Sequence, residues 1–139
     1  MKEILFRGKV VDNSAWVHGF FVNCRDYYDD EDSRTPEIIS VNAEHQYAGE
    51  YDRLECYPVI EGTVGQWTGL YDNNGTMIFE GDIIEWFYGN VAVVKYNVNS
   101  ASFAGYVGKF DEYYFGARER EECKVIGNIW DNPELVEEV

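Results

Sequence analysis

The densest set of residues able to do chemistry lies between Gln66 and Ile84. There Thr68, Asp72, Asn73, Asn74, Glu80 and Asp82 supply hydroxyl, amide and carboxylate groups within one short stretch. Such a set could line a binding loop. Turn chemistry accounts for the same residues, with Asp72-Asn73-Asn74-Gly75 reversing the chain and Glu80-Gly81-Asp82 making the next corner, and that reading is preferred. A second cluster, Asp29-Asp30-Glu31-Asp32, offers the hard oxygen ligands that calcium and magnesium take. Consecutive residues do not converge on one point, however, and the spaced Asp/Asn pattern with Gly and a distant Glu is absent both here and at Asp72. A solvated acidic loop is expected.

The two histidines, His18 and His45, are far apart in the chain. His18, between Val17 and Gly19, could serve as a general base beside a carboxylate, but a lone strand histidine is more often a half-exposed packing residue. Cys24 has Arg25 beside it and Cys123 has Lys124. A neighbouring cation can lower a thiol pKa, but adjacent strand residues point to opposite faces, so both cysteines are read as structural. Three widely spaced cysteines, Cys56 being the third, with no C-x-x-C pair, argue against a disulfide framework and against structural zinc. The chain has no G-x-S-x-G elbow and no Gly-rich phosphate loop with Lys. No catalytic, cofactor-binding or metal-binding residue is therefore assigned; the expectation is a protein that is not an enzyme and takes no cofactor.

The elements that must position these groups are strands. Aromatic residues make up 17% of the chain, which favours pleated, half-buried surfaces. Residues 4–11, with Gly8 marking a bulge, and Trp16–Cys24 form a predicted hairpin across Asp12-Asn13-Ser14. Asp26–Pro36 is a solvated loop. Glu37–Val41 and Cys56–Ile60 are extended, and residues 43–54 are ambiguous, since Gly49 weakens a short helix there. Asn74-Gly75 between apolar runs signals a tight hairpin in which both residues tolerate positive φ. A two-residue Gly89-Asn90 loop sets Trp86 opposite Val93, Tyr88 opposite Val91 and Ile84 opposite Lys95. Both faces of that pair are largely apolar, so it should be central in its sheet. Phe103–Phe110 is a kinked strand and Asp111–Glu122 a loop or short helix. Cys123–Trp130 is a strand in which Gly127-Asn128 marks a bulge or a close backbone approach. Pro133 opens one helical turn.

Net charge is −15, from 11 basic and 26 acidic side chains. Residues 1–65 carry −7 and residues 66–139 carry −8, so the excess is spread over the whole chain. A body this acidic repels phosphate backbones and anionic lipid, so neither direct nucleic-acid binding nor membrane binding is expected. Solubility accounts for the charge; mimicry of a nucleic acid to block a host enzyme is the sharper alternative. The apolar run at Ile4-Leu5-Phe6 is too short for a signal peptide, and no stretch approaches the ~20 apolar residues of a membrane helix. A cytoplasmic protein of a bacterial host cell is expected.

Three blocks resemble the YopX family. The first is Ile4-Leu5-Phe6-Arg7-Gly8-Lys9 with Trp16-Val17 and Gly19. The second is Thr63-Val64-Gly65-Gln66-Trp67-Thr68-Gly69-Leu70, continuing through Asp72, Asn74-Gly75 and Ile78-Phe79-Glu80-Gly81-Asp82-Ile83. The third runs from Val125 to Leu135. Residues 26–60 and 97–122 depart from the family pattern. The resemblance implies a β-rich protein of phages and prophages of low-GC Gram-positive bacteria, with no secure activity and no catalytic residues to carry over. The expected fold is all-β with one or two short helices. Its antiparallel hairpins would form a small SH3-like or partly open barrel in the C-terminal half. The whole chain, 1–139, is read as a single YopX-like domain, with a variable part at 1–65 and a barrel-like part at 66–139. The expected function is an accessory role through binding of protein partners, a homo-oligomer among them. A small-ligand site between the two halves, lined by His18, is a further alternative.

Overall fold

The computed structural model describes residues 4–22, 37–42, 53–86, 89–107, 111–114 and 123–136. The chain divides into two compact units, residues 3–66 and 67–139. Every strand pairing among the described residues is antiparallel. No α-helix occurs among the described residues, and the one helical turn is a 3-10 turn at Pro133–Leu135 with Pro133 opening it. The all-β expectation holds.

In the first unit, β1 (Phe6–Lys9), β2 (Trp16–Val22), β3 (Glu37–Asn42) and β4 (Arg53–Pro58) pair in succession. The other edge of β1 meets the start of β5 (Gly65–Tyr71), with Phe6 opposite Gln66 and Arg7 opposite Gly65. Just beyond β4 the chain returns to β1. Val59 bridges Val10, the Val11 N–H donates to the Pro58 carbonyl at 3.0 Å, and the Ile60 N–H donates to that of Lys9 at 2.8 Å. This return is a single bridge and not a ladder, so the strands curl without closing. Gly8 is not a bulge: it pairs regularly with Val17. Its role is close approach, because a Cβ at Gly8 would stand 3.0 Å from the Val59 side chain. Strand alternation puts Phe6, Gly8, Val10, Val17, Gly19 and Phe21 on one face. Val10, Ile38 and Val59 are buried there, and the Phe6 and Phe21 rings meet at 5.7 Å.

In the second unit, β5 pairs with β6 (Met77–Phe79), and a five-stranded sheet has the order β10-β9-β8-β7-β11. Its members are β7 (Asp82–Trp86), β8 (Asn90–Asn97), β9 (Ser102–Val107), β10 (Asp111–Tyr114) and β11 (Lys124–Asn128). Residues 111–114 are thus a strand, where the sequence suggests a loop or short helix. The sheet is open, with β10 and β11 at its ends, and does not close into an SH3-like barrel. As expected, β7 and β8 are interior strands. Ile83 and Ile84, on opposite faces, are both buried. Ile78, Ile84, Ala92, Val94 and Cys123 form one core cluster, with Leu70, Val107 and Val125 packed on it.

Two hairpins differ from their expected form. Ile83, not Trp86, stands opposite Val93, and Ile84 stands opposite Ala92. Trp86 stands opposite Asn90, so Gly89-Asn90 is not a two-residue turn. The three-residue offset is odd, so it exchanges the faces of one strand relative to the other. It places Ile84, Ala92 and Val94 together on the core side. The β5–β6 hairpin closes between Asp72 and Thr76, with Asn73-Asn74-Gly75 as its loop, and only Gly75 in it has positive φ. This is the three-residue loop type in which a left-handed glycine follows a turn.

Gly81 makes the tightest corner. Its φ is +90°, its N–H donates to the Val94 carbonyl and its carbonyl accepts from the Ile129 N–H. The Trp130 ring occupies the space a Cβ would need. Gly75 also has positive φ, but nothing lies near its missing Cβ. Gly75→Ala therefore costs only the left-handed strain, about 1 kcal/mol, while Gly81→Ala adds overpacking for about 3 kcal/mol in all. Urea unfolding of the two variants measures the difference.

Candidate functional site

The corner that carries Thr68, Asp72 and Asp82 is built from hydrogen bonds to backbone. Between Trp67 and Tyr71 the register of β5 against β6 shifts. Thr68 spans that irregularity: its hydroxyl donates to the Ile78 carbonyl at 2.7 Å and accepts from the Leu70 N–H at 3.2 Å. The Trp67 indole N–H donates to the Leu70 carbonyl at 2.9 Å. Asp72 is buried. Its Oδ1 accepts from the Asn74 and Thr76 N–H groups, both at 2.8 Å, and its Oδ2 accepts from the Val125 N–H of β11 at 2.9 Å. Asp82, 1% exposed, accepts from the Phe79 N–H at 2.7 Å. Asn73 and Asn74 are exposed loop positions, and Glu80 is half-buried beside Gly81. The arrangement explains the residue types as holders of a turn, a bulge and a corner.

The end of β11 follows the same logic. The ladder shifts between Val125 and Gly127, and the Asn132 side chain sits against Gly127, so the expected bulge and the close approach are both present. Asn128 Oδ1 accepts from the Trp130 and Asp131 N–H groups at 3.1 and 2.9 Å. Burial, followed by the Asp72 carboxylate, pushes the Cys123 thiol up to about 11, which keeps it protonated and unreactive. Among the described residues, no group of His, Cys, Asp and Glu is arranged to hold a metal ion. Cys24, Asp29–Asp32 and His45 lie outside the described residues.

The second concentration of side chains is the outer face of the first unit. Alternation places Trp16, His18 and Phe20 on the side of β2 opposite the core. Arg7 stands across from His18, and Lys9 across from Trp16. The Arg7 guanidinium lies 4.6 Å from the Trp16 ring centroid and the Lys9 ammonium 5.7 Å, both within cation–π range. Phe20 is 53% exposed, and it pairs with Ile39, which in turn pairs with the exposed Cys56. Single-residue reasoning finds His18 here and misses the face. The signal is the Trp-x-His-x-Phe alternation with Arg-x-Lys opposite it. Partial burial, followed by the charge of Arg7, lowers the His18 pKa below 6.5.

These strands and corners define a small antiparallel β protein whose polar corners are held by backbone hydrogen bonds and whose outer sheet face carries an exposed Phe20 and a half-buried Trp16 over a buried Arg7. The chain belongs to the YopX protein family, whose sequence profile matches residues 5–137. Its fold is similar to that in the crystal structure of protein EF1440 from Enterococcus faecalis. The TM-score is 0.60 at 22% identity, over 99% of this chain and 100% of that one. Among proteins with curated descriptions, none matches it. No helix among the described residues is long and apolar enough to cross a membrane.

Asp72→Ala removes an acceptor shared by three backbone N–H groups and should cost about 3 kcal/mol. Asp72→Asn, which turns an amide N–H toward a donor, should cost about 2 kcal/mol. Both variants should expose the Val125 amide to hydrogen exchange, measured by NMR. For His18, the folded pKa lies below the unfolded value. Its contribution to stability is therefore intact above pH 6.5 and is lost as pH falls through that value toward the folded pKa. Its NMR titration midpoint should stay below 6.5 in Arg7→Gln, because burial is the larger cause.

Proposed function

We propose that this YopX protein is a non-catalytic accessory protein of phage or prophage type that acts inside the bacterial cell by binding another protein through the outer face of β1 and β2. The observation that carries this reading is Phe20, 53% exposed on the same strand face as the half-buried Trp16, whose indole is met by the buried Arg7 and by Lys9. Aromatic residues and Arg are enriched where protein surfaces meet, and Trp, Tyr and Arg dominate binding energy there. A chain of net charge −15 suits a protein partner better than a nucleic acid. Phage origin and lack of catalysis enter through the family resemblance and through the backbone role of the polar corner residues.

The test is affinity capture from a lysogenic or infected low-GC Gram-positive host, with native protein and Phe20→Asp side by side. Phe20 is on the surface, so the variant should keep the native circular dichroism spectrum and melting midpoint. A specific host or phage protein retained by the native chain and lost with Phe20→Asp supports the reading. Equal recovery by both, or recovery of nothing reproducible, removes it.

A further inference from the structure

The single Asn-Gly pair of the chain, Asn74-Gly75, stands in the loop of the β5–β6 hairpin. The side-chain carbonyl carbon of an asparagine can close a succinimide ring with the backbone nitrogen of the next residue. A glycine there leaves that nitrogen unshielded, because it has no Cβ. Asn74 and Gly75 are both exposed, and nothing lies within 4 Å of the place a Cβ of Gly75 would take. The Asn74 side chain makes no hydrogen bond within the described residues. Other asparagines are held, since the Asn13, Asn97, Asn128 and Asn132 side-chain oxygens each accept from a backbone N–H. The Gly75 N–H itself donates only to the Asp72 carbonyl, at 3.1 Å, the long end for such a bond.

The place of this pair gives the chemistry a consequence. Asp72 Oδ1 grips the loop on both sides of the Asn74–Gly75 link, accepting from the Asn74 and Thr76 N–H groups at 2.8 Å each. The same carboxylate holds the Val125 N–H of β11 through Oδ2. A change in the length of that link is therefore felt at β11.

We infer that Asn74 is a site of spontaneous modification, whose main product lengthens the hairpin loop and releases its hold on β11. First the Gly75 nitrogen gives up its proton and bonds to Asn74 Cγ, the Cγ–Nδ2 bond breaks, and ammonia leaves. Water then adds to one ring carbonyl and breaks its bond to the Gly75 nitrogen. The net change is asparagine plus water to aspartate plus ammonium. Opening at the side-chain carbonyl leaves an ordinary aspartate. Opening at the backbone carbonyl, the more electrophilic of the two, leaves the chain running through the former side chain. That β-linked form adds one methylene between the Asn74 and Thr76 N–H groups, so Asp72 Oδ1 no longer accepts from both. The Val125 N–H then loses its fixed acceptor and opens to solvent.

The test is to age the full native chain at neutral and at mildly alkaline pH, with the same chain unfolded in urea alongside. Peptide mapping by mass spectrometry, with the two aspartyl isomers separated, follows position 74. Hydrogen exchange by NMR follows Val125. The folded chain should convert at Asn74, faster at the higher pH, with the β-linked isomer in excess, while Asn13 keeps its amide. The Val125 amide should lose protection in the β-linked fraction. Asn74→Gln, whose longer side chain would have to close a larger ring, should not convert and should keep Val125 protected throughout. Asn74→Asp, which adds the charge without the methylene, should also keep it protected at the outset. An Asn74 amide that survives in the folded chain after the unfolded chain has converted overturns the site. Unchanged Val125 exchange in the β-linked fraction overturns its link to β11.

Discussion

The Asp72 carboxylate is the constraint on which the second unit depends. One side chain accepts from Asn74, Thr76 and Val125, and so ties a hairpin loop to a strand more than fifty residues later. The neighbouring Asn73 N–H donates to the Cys123 carbonyl at 3.1 Å. Together these bonds occupy backbone groups of β11 and its approach that would otherwise lie along a sheet edge. An unpaired edge is a template for aggregation. The loop therefore sets its own turn and covers the edge of a sheet at once. The Cys123 thiol, buried in the core cluster beside this carboxylate, is inert for the same reason that the corner is stable.

The first unit solves a different problem. Four strands in succession would leave β1 and β4 far apart, but Val59 returns to Val10 and packs over Gly8. Thr63 secures the turn that follows: its hydroxyl donates to the Ile60 carbonyl at 2.6 Å and accepts from the Lys9 N–H at 3.1 Å. The inner face is thereby filled by Gly8, Val10, Ile38 and Val59, with the Phe6 and Phe21 rings paired on the same side. The large aromatics Trp16 and Phe20 fall to the outside by strand alternation alone. Their exposure follows from the same register that buries Val10, Ile38 and Val59, so no single-residue slip could hide both sets.

Strand identity was largely legible in the sequence, because period-two patterns and turn residues report it directly. Trp16–Cys24, Ile83–Tyr88 and Val91–Tyr96 read as strands, and the β1–β2 hairpin follows from the turn at Asp12-Asn13-Ser14. Register was less legible. Gly89-Asn90 fits a two-residue loop locally, yet burying Ile84, Ala92 and Val94 together decides in favour of a longer connection. Asn74-Gly75 marks the right hairpin, but Asp72, two residues earlier, sets its geometry by a bond to Val125 that no local rule contains. Gly8 shows the same limit. A glycine inside a strand announces a bulge or a close approach, and only the distant Val59 distinguishes them. The outer face of β1 and β2 was hidden for a related reason, since its members come from two strands and are unremarkable singly.

Charge placement sets two stretches of the chain apart. Acidic side chains, in excess in both halves of the chain, oppose indiscriminate contact, because any two such bodies repel. Specific contact then requires stretches where repulsion is absent. The two longest runs free of charged residues are 13–24, which contains β2, and 96–108, which contains the turn between β8 and β9. The lowered pKa of His18 keeps the first of these uncharged near neutral pH. Each run also holds exposed apolar side chains, Phe20 in one and Val98 in the other. Exposed apolar groups scattered singly need no explanation, and Ile4, Val11, Ile60, Tyr71 and Leu135 are exposed outside these runs, each next to an acidic residue in the chain. Phe20 and Val98 differ from these in having no charged neighbour in the chain, so like-charge repulsion is weakest around them.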